Sequence, residues 1–127
     1  MDFADIKELF SVFGPVDARR MFGGAGIYAD GTMFAVLAEG VIYLKADDGN
    51  AAAYDRESLG PFTYATKEGK RGVMSYRRMP DRLYDDPDEL ATWAREALAA
   101  ARRGKGSKKS PKLAASNSVT RAQRTRS

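Results

Sequence analysis

The sequence contains no cysteine and no histidine. The first absence excludes disulfides, thiolate metal sites and a cysteine nucleophile. The second removes the commonest zinc ligand and the usual general base at neutral pH, and with it a serine triad of the ordinary kind. No apolar run approaches the roughly 18 residues of a membrane span, so no membrane contact is expected. A secretory leader is not evident either: Met1-Asp2-Phe3-Ala4-Asp5 is acidic where such a leader is basic, and cytoplasmic residence is the expectation. Carboxylates, lysines, tyrosines and backbone are what remains for chemistry. That set predicts a protein that is not an enzyme and carries no cofactor and no metal.

What is present is globular: 127 residues, 43% apolar and 30% charged, the material of a single domain. The net charge of +4 hides two unlike segments. Residues 1–101 carry twelve Lys and Arg against seventeen Asp and Glu; residues 102–127 carry nine Lys and Arg and no acid. The body is therefore acidic, and the pI near 9.4 belongs to the end of the chain.

Phe3, Ile6, Leu9, Phe10 and Phe13 recur at spacings of three and four, which predicts an amphipathic helix capped by Asp2 and closed by Gly14-Pro15. Strand patterns follow over 16–22, 27–29, 32–37 and 41–45. Asp30-Gly31 and Glu39-Gly40 stand at tight turns, so the four form an antiparallel meander. Residues 50–57 predict a short helix. Residues 62–66 and 73–77 predict two more strands about a polar turn, Lys67 to Gly72. In the last helix Asp86 caps, Pro87 occupies the first position and Glu89 completes a capping box. Leu90, Trp93, Ala94, Ala97, Leu98 and Ala101 make its buried face; Arg102 and Arg103 complement its dipole, and Gly104 ends it. The expected class is α+β: an antiparallel sheet (meander plus hairpin) with N-terminal, short middle and C-terminal helices covering one face. The expected organisation is a domain over 1–103 and a disordered basic tail over 104–127, too poor in large apolar residues to offset the entropy of ordering.

Several local patterns resemble functional motifs. Gly23-Gly24-Ala25-Gly26 suggests a phosphate loop, but a strand follows where such a loop needs a helix N-terminus; a bend or bulge that only glycine fits is the simpler account. Gly69-Lys70-Arg71-Gly72 matches the GXXG loop of KH domains, yet it lies between strands rather than helices and predicts a hairpin turn. Tyr28, Tyr43, Tyr64 and Tyr76, with Phe34 and Phe62, fall in or beside strands, where they either stack bases or fill a small core. Asp47, Asp48, Asp85, Asp86, Asp88 and Glu89 lack calcium-loop spacing and suit caps and helix starts.

Arg19, Arg20, Lys45, Tyr76 and Arg77 lie on predicted strands and form a candidate partner or ligand surface. Since neighbouring strand residues face opposite ways, at least one arginine of each pair, Arg19-Arg20 and Arg77-Arg78, is expected to reach solvent. In the C-terminal stretch Arg102, Arg103, Lys105, Lys108, Lys109, Lys112, Arg121, Arg124 and Arg126 are candidates for non-specific nucleic-acid contact through counterion displacement.

The body as a whole resembles the TfoX/Sxy N-terminal domain family. The resemblance rests on Arg20-Met21-Phe22-Gly23-Gly24-Ala25-Gly26-Ile27-Tyr28, Met33-Phe34-Ala35, Ile42-Tyr43-Leu44-Lys45, Phe62-Thr63-Tyr64, Met74-Ser75-Tyr76 with Pro80, Asp86-Pro87-Asp88-Glu89-Leu90, and Trp93 through Leu98. It covers residues 3–103 in order. It implies an α+β domain of the secretion-chaperone-like kind and no catalytic residue. For full-length relatives it implies a transcriptional co-activator acting with a cyclic-AMP receptor protein at competence promoters. Those relatives carry a helical C-terminal domain where this chain has basic residues, and Arg77 stands where an aromatic or other bulky residue is expected.

The function expected is thus a transcriptional co-regulator or interaction module with a protein partner in the transcription machinery. The alternative is a small-ligand-binding module or enzyme with a pocket around Arg19, Arg20, Tyr43, Tyr76 and Arg77. A third reading is an adaptor or homodimer whose sheet face is the interface; the sequence leaves the oligomeric state open.

Overall fold

The computed structural model describes residues 1–21 and 23–109. Helix α1 (Phe3–Leu9) opens with a reciprocal cap: the Asp2 carboxylate accepts the Asp5 N–H at 2.9 Å, and the Asp5 carboxylate accepts the Asp2 N–H at 3.0 Å. Four strands then run as a meander: β1 (Asp17–Met21), β2 (Gly24–Ala29), β3 (Thr32–Ala38) and β4 (Val41–Lys45). Both turns at the ends of β3 use two left-handed residues, Asp30-Gly31 (φ +50°, +76°) and Glu39-Gly40 (φ +51°, +78°). That is the geometry whose twist matches antiparallel strands. Helix α2 (Ala51–Arg56), the hairpin β5 (Pro61–Thr66) and β6 (Gly69–Arg78), a 3₁₀ turn (Asp81–Asp85) and α3 (Pro87–Lys109) complete the chain.

The sheet order is β1-β2-β3-β4-β6-β5, antiparallel throughout, so the α+β class and the meander-plus-hairpin arrangement hold. One face carries Ala25, Ile27, Ala35, Leu37, Ile42 and Leu44, all in one core with Ile6 and Phe10 of the N-terminal segment, Tyr54 of α2, and Leu90, Ala94, Ala97 and Ala101 of α3. Each large side chain removed from water there contributes about 1.5–3 kcal/mol. A register shift helps: Ile27 pairs with Ala35 but Tyr28 with Met33, leaving Phe34 as an extra residue on β3. This bulge lets Phe34 and Ala35 both be fully buried, with Phe34 edge-on to Phe10 at 5.4 Å.

The structure corrects four local expectations. Of the early glycines only Gly23 sits at a turn (φ +77°); Gly24 and Gly26 lie inside β2. A Cβ on Gly24 would stand 2.0 Å from the Leu37 carbonyl oxygen, so the close approach of β3 dictates glycine there. The polar turn is Lys67-Glu68 alone: Gly69, at φ +115°, starts β6 immediately, and the GXXG stretch is strand. The box at the start of α3 is only half formed. Asp86 accepts the Glu89 N–H at 3.1 Å, while the Glu89 carboxylate is held by Arg82 and by the indole N–H of Trp93. Finally, α3 does not end at Gly104 but continues to Lys109, across the expected domain boundary. Gly104 keeps helical backbone at a propensity cost of about 1 kcal/mol, and the turn before it is tied to the body. There Arg103 meets the Asp47 carboxylate with two bonds of 2.7 and 2.8 Å, and Arg102 reaches Asp30 at 3.4 Å. The expected disorder of residues 110–127 lies outside the described residues.

Candidate interaction surface

Strand alternation and register divide the polar and aromatic side chains of the sheet between its two faces. Arg19, Gly26, Val36, Tyr43 and Arg78 form a cross-strand row, and a second row of Asp17, Tyr28, Met33, Lys45 and Tyr76 runs along one side of it. These residues face away from the three helices.

The side chains on this open face cover one another. The Arg19 guanidinium lies 4.9 Å from the centre of the Tyr28 ring, and the Lys45 ammonium lies 4.9 Å from that of Tyr76. Tyr43 and Phe62 meet at 5.3 Å with their planes tilted by 57°. Over Gly26 the side chains of Met21, Met33 and Tyr28 converge so closely that an added Cβ would lie 2.7 Å from one sulfur and 2.8 Å from the other. Val36, central in the row, is 5% exposed although none of the described helices covers it. Tyr28, Met21, Met33, Tyr43, Lys45, Phe62 and Tyr76 are half-buried. Burial, with a smaller contribution from Tyr28 nearby, pushes the Tyr76 phenol up to about 12. It is a neutral phenol at physiological pH.

Two members of the sequence-level surface belong elsewhere. Arg20 pairs in register with Ala25, on the helix side, and its guanidinium lies 5.6 Å from the Phe3 ring. Arg77 pairs with Leu44, also on the helix side, and is 6% exposed. Its Nε donates to the Leu59 carbonyl at 2.8 Å and its Nη2 to Asp55 at 2.5 Å, so it ties β6 to α2 and the loop after it. Arg78, its neighbour, is the solvent-facing member of the pair and meets Asp81 at 3.4 Å. The five residues of the expected pocket are therefore split between the two faces. A cleft of about 240 Å³ lies on the helix side, lined by Asn50, Ala53, Tyr54, Thr92, Trp93 and Glu96, and contains none of them.

The C-terminal candidates also divide. Arg102 and Arg103 are engaged with Asp30 and Asp47, and the Arg103 guanidinium holds the Asp47 carboxyl below the usual carboxylate range. Lys105, Lys108 and Lys109 occupy the last turns of α3. Lys112, Arg121, Arg124 and Arg126 lie outside the described residues. Met21, Met33 and Tyr28 were not singled out together by the sequence. The signal that finds them is the alternation of β1–β3 read with the Asp30-Gly31 turn, which puts them on one face.

Among proteins of known family, the TfoX N-terminal domain model matches residues 8–101. Protein Sxy of Escherichia coli (strain K12) is 26% identical over 102 residues, covering 80% of this chain and 48% of that protein. The chain thus spans about half the length of this curated relative. The family match takes in α1's end, the whole sheet and α3 as far as Ala101, the same elements that build both faces, and the chain belongs to the TfoX N-terminal domain family.

Proposed function

We propose that this chain is a non-enzymatic, cytoplasmic regulatory module that works through protein contacts in transcription control, and that its cationic C-terminal stretch adds a non-specific hold on nucleic acid. Membership of the TfoX N-terminal domain family supports the regulatory reading. The observation that carries the nucleic-acid part is the segregation of charge: residues 102–127 hold nine Lys and Arg without one acid, while the body before them is acidic. Arg102 and Arg103 meet carboxylates of the body, so the candidates for phosphate contact on this reading are Lys105, Lys108, Lys109, Lys112, Arg121, Arg124 and Arg126. Tyr76, a tyrosine of the expected pocket, has its phenol shifted further from neutral pH by burial, which weighs against the enzyme alternative.

The test compares the full chain with a full-length variant in which Lys105, Lys108, Lys109 and Lys112 are glutamine, on random-sequence duplex DNA. If six cations meet phosphates, log K falls with log salt at a slope of roughly −5, and the variant loses about four units of it. Equal affinity of the two proteins at low salt overturns the nucleic-acid reading. Recovery of the same protein partners from nuclease-treated cytoplasm tests the protein-contact reading separately; capture that vanishes with nuclease rejects it.

A further inference from the structure

The open face of the sheet differs from an ordinary solvated face in three respects. It carries more positive than negative charge on an acidic body: Arg19, Lys45 and Arg78 stand on it against Asp17, opposite Tyr28 on the same edge strand as Arg19, and Asp81, which meets Arg78. It concentrates aromatic and sulfur-bearing side chains, with Tyr28, Tyr43, Phe62 and Tyr76 beside Met21 and Met33. It is also deformable at its centre, because the two methionines fill the space above Gly26, where a branched or β-substituted residue would have fixed the surface. Unbranched thioethers re-pack at low cost and are favoured where a surface adapts to its partner.

These features select among occupants. An anionic partner is favoured by the sign of the face. A stack of nucleobases needs bare ring faces. Here the guanidinium of Arg19 and the ammonium of Lys45 already lie against Tyr28 and Tyr76, and Tyr43 and Phe62 are tilted into each other. A carboxylate can draw those cations outward and pair with them, while apolar side chains enter between the methionines and the uncovered rings. Resting on the reading of this chain as a module of protein contacts, we propose that the helix-free face of the sheet, centred on Arg19, Tyr28, Met33, Tyr43, Lys45 and Tyr76, docks an acidic amphipathic segment of a partner protein.

The experiment uses the full chain and amide chemical-shift mapping. The probe is a synthetic peptide with Asp and Glu on one side and Leu and Phe at helical spacing on the other, added to about 1 mM, the weak end of specific affinity. Its counterparts carry Lys for the acids or Ser for the apolar residues, and an oligothymidylate strand is titrated in parallel. Shifts should concentrate on β1–β4 and β6 residues of the open face for the acidic apolar peptide. Both peptide counterparts should bind at least about tenfold more weakly, as should the Arg19→Glu chain. Arg19→Gln, which keeps a polar side chain on that edge, should give an intermediate loss. Shifts confined to the C-terminal lysines, no shifts at all, equal binding of the Lys peptide, or stronger perturbation of the face by oligothymidylate each overturn the proposal. Retention on duplex DNA is followed in the same samples. Loss of DNA binding with the peptide still seated rejects the nucleic-acid reading alone, and loss of the peptide with DNA still held rejects this docking surface alone.

Discussion

Arg77 offers the sharpest check on the division of the sheet into two faces. Its side chain is 7% exposed, whereas that of its ionic partner Asp55 is 64% exposed. Its other bond runs to the Leu59 carbonyl at 2.8 Å, in the loop that leads from α2 to β5. Arg77→Ala removes a charge-assisted bond to backbone, worth about 1.5–3 kcal/mol, and the packing of the stem, worth about 1 kcal/mol. The expected loss is about 2–4 kcal/mol out of a total of roughly 5–15 kcal/mol. At about 4 °C per kcal/mol for a domain of this size, Tm falls by roughly 8–16 °C. Asp55→Ala should cost only about 1 kcal/mol or less, because water screens its carboxylate and solvates the guanidinium edge that it leaves. Arg77→Met, which keeps the stem, should fall between them. Urea unfolding followed by the fluorescence of Trp93, the single tryptophan, measures all three with the double variant. Arg77→Ala within about 0.5 kcal/mol of the parent would refute the reasoning, since a surface position behaves in that way. So would Asp55→Ala matching Arg77→Ala, because the backbone bond would then carry nothing.

Three further outcomes follow from the packing of the core and the charge pairs at its edge. Tyr54 is 1% exposed and its hydroxyl has no hydrogen-bond partner among the described residues, so Tyr54→Phe should raise unfolding free energy by about 1 kcal/mol; a clear loss in urea melts would mean that the hydroxyl is satisfied. Gly24→Ala drives a Cβ into the Leu37 carbonyl and should prevent soluble expression or cost more than about 3 kcal/mol, whereas Gly26→Ala meets only methionine tips and a tyrosine edge and should cost about 1–2 kcal/mol; equal losses would contradict the stated packing. Arg82 bonds both Glu57 and Glu89 and holds each carboxyl below the usual value near 4.5. Carboxyls depressed on folding contribute stability above their unfolded pKa and lose it as pH falls through the folded one. Thermal melts of the parent should therefore weaken more steeply below about pH 4.5 than those of Arg82→Gln, and parallel curves down to pH 3 would exclude the clamp.

Most of the architecture was legible because each element carried its own local signal. The Asp2 cap, the Asp30-Gly31 and Glu39-Gly40 turns, and the Pro87 start with Leu90, Ala94 and Ala97 on one stripe all produced the elements read from them. What failed was set by contacts between distant residues. Gly104 is a stop signal in isolation, yet Arg102 and Arg103 bind carboxylates from the β2–β3 turn and the loop after β4, and the helix runs on. Glu89 sits where a box residue belongs, but Arg82, placed by a 3₁₀ turn that no periodicity announces, takes its carboxylate. The candidate surface was half legible. Alternation alone separates Arg19 from Arg20 and Arg77 from Arg78, but which member faces the helices depends on the register with Ala25 and Leu44. Reading one partner strand would have moved Arg20 and Arg77 inward and brought Met21, Met33 and Tyr28 together.

The open face also has to satisfy a requirement that the covered one does not. A sheet that packs all its helices on one side leaves the aromatic residues of the other side next to water, and an apolar patch of that kind invites aggregation. Here the cations lie across the rings, so Arg19 and Lys45 keep Tyr28 and Tyr76 half-buried and present charge outward. Such a cover is worth about 0.5–1 kcal/mol per pair at a surface, enough to hold the side chains in place and little enough for a carboxylate to displace them. Replacing Tyr28 or Tyr76 with alanine should thus remove the ring beneath the cation and leave the fold's anchors, Phe34, Ile42 and Leu44 on the opposite side, untouched. On the docking proposal the same interaction has two roles: it keeps the free domain from associating through its rings, and it withdraws when an acidic partner supplies both the counter-charge and the apolar surface.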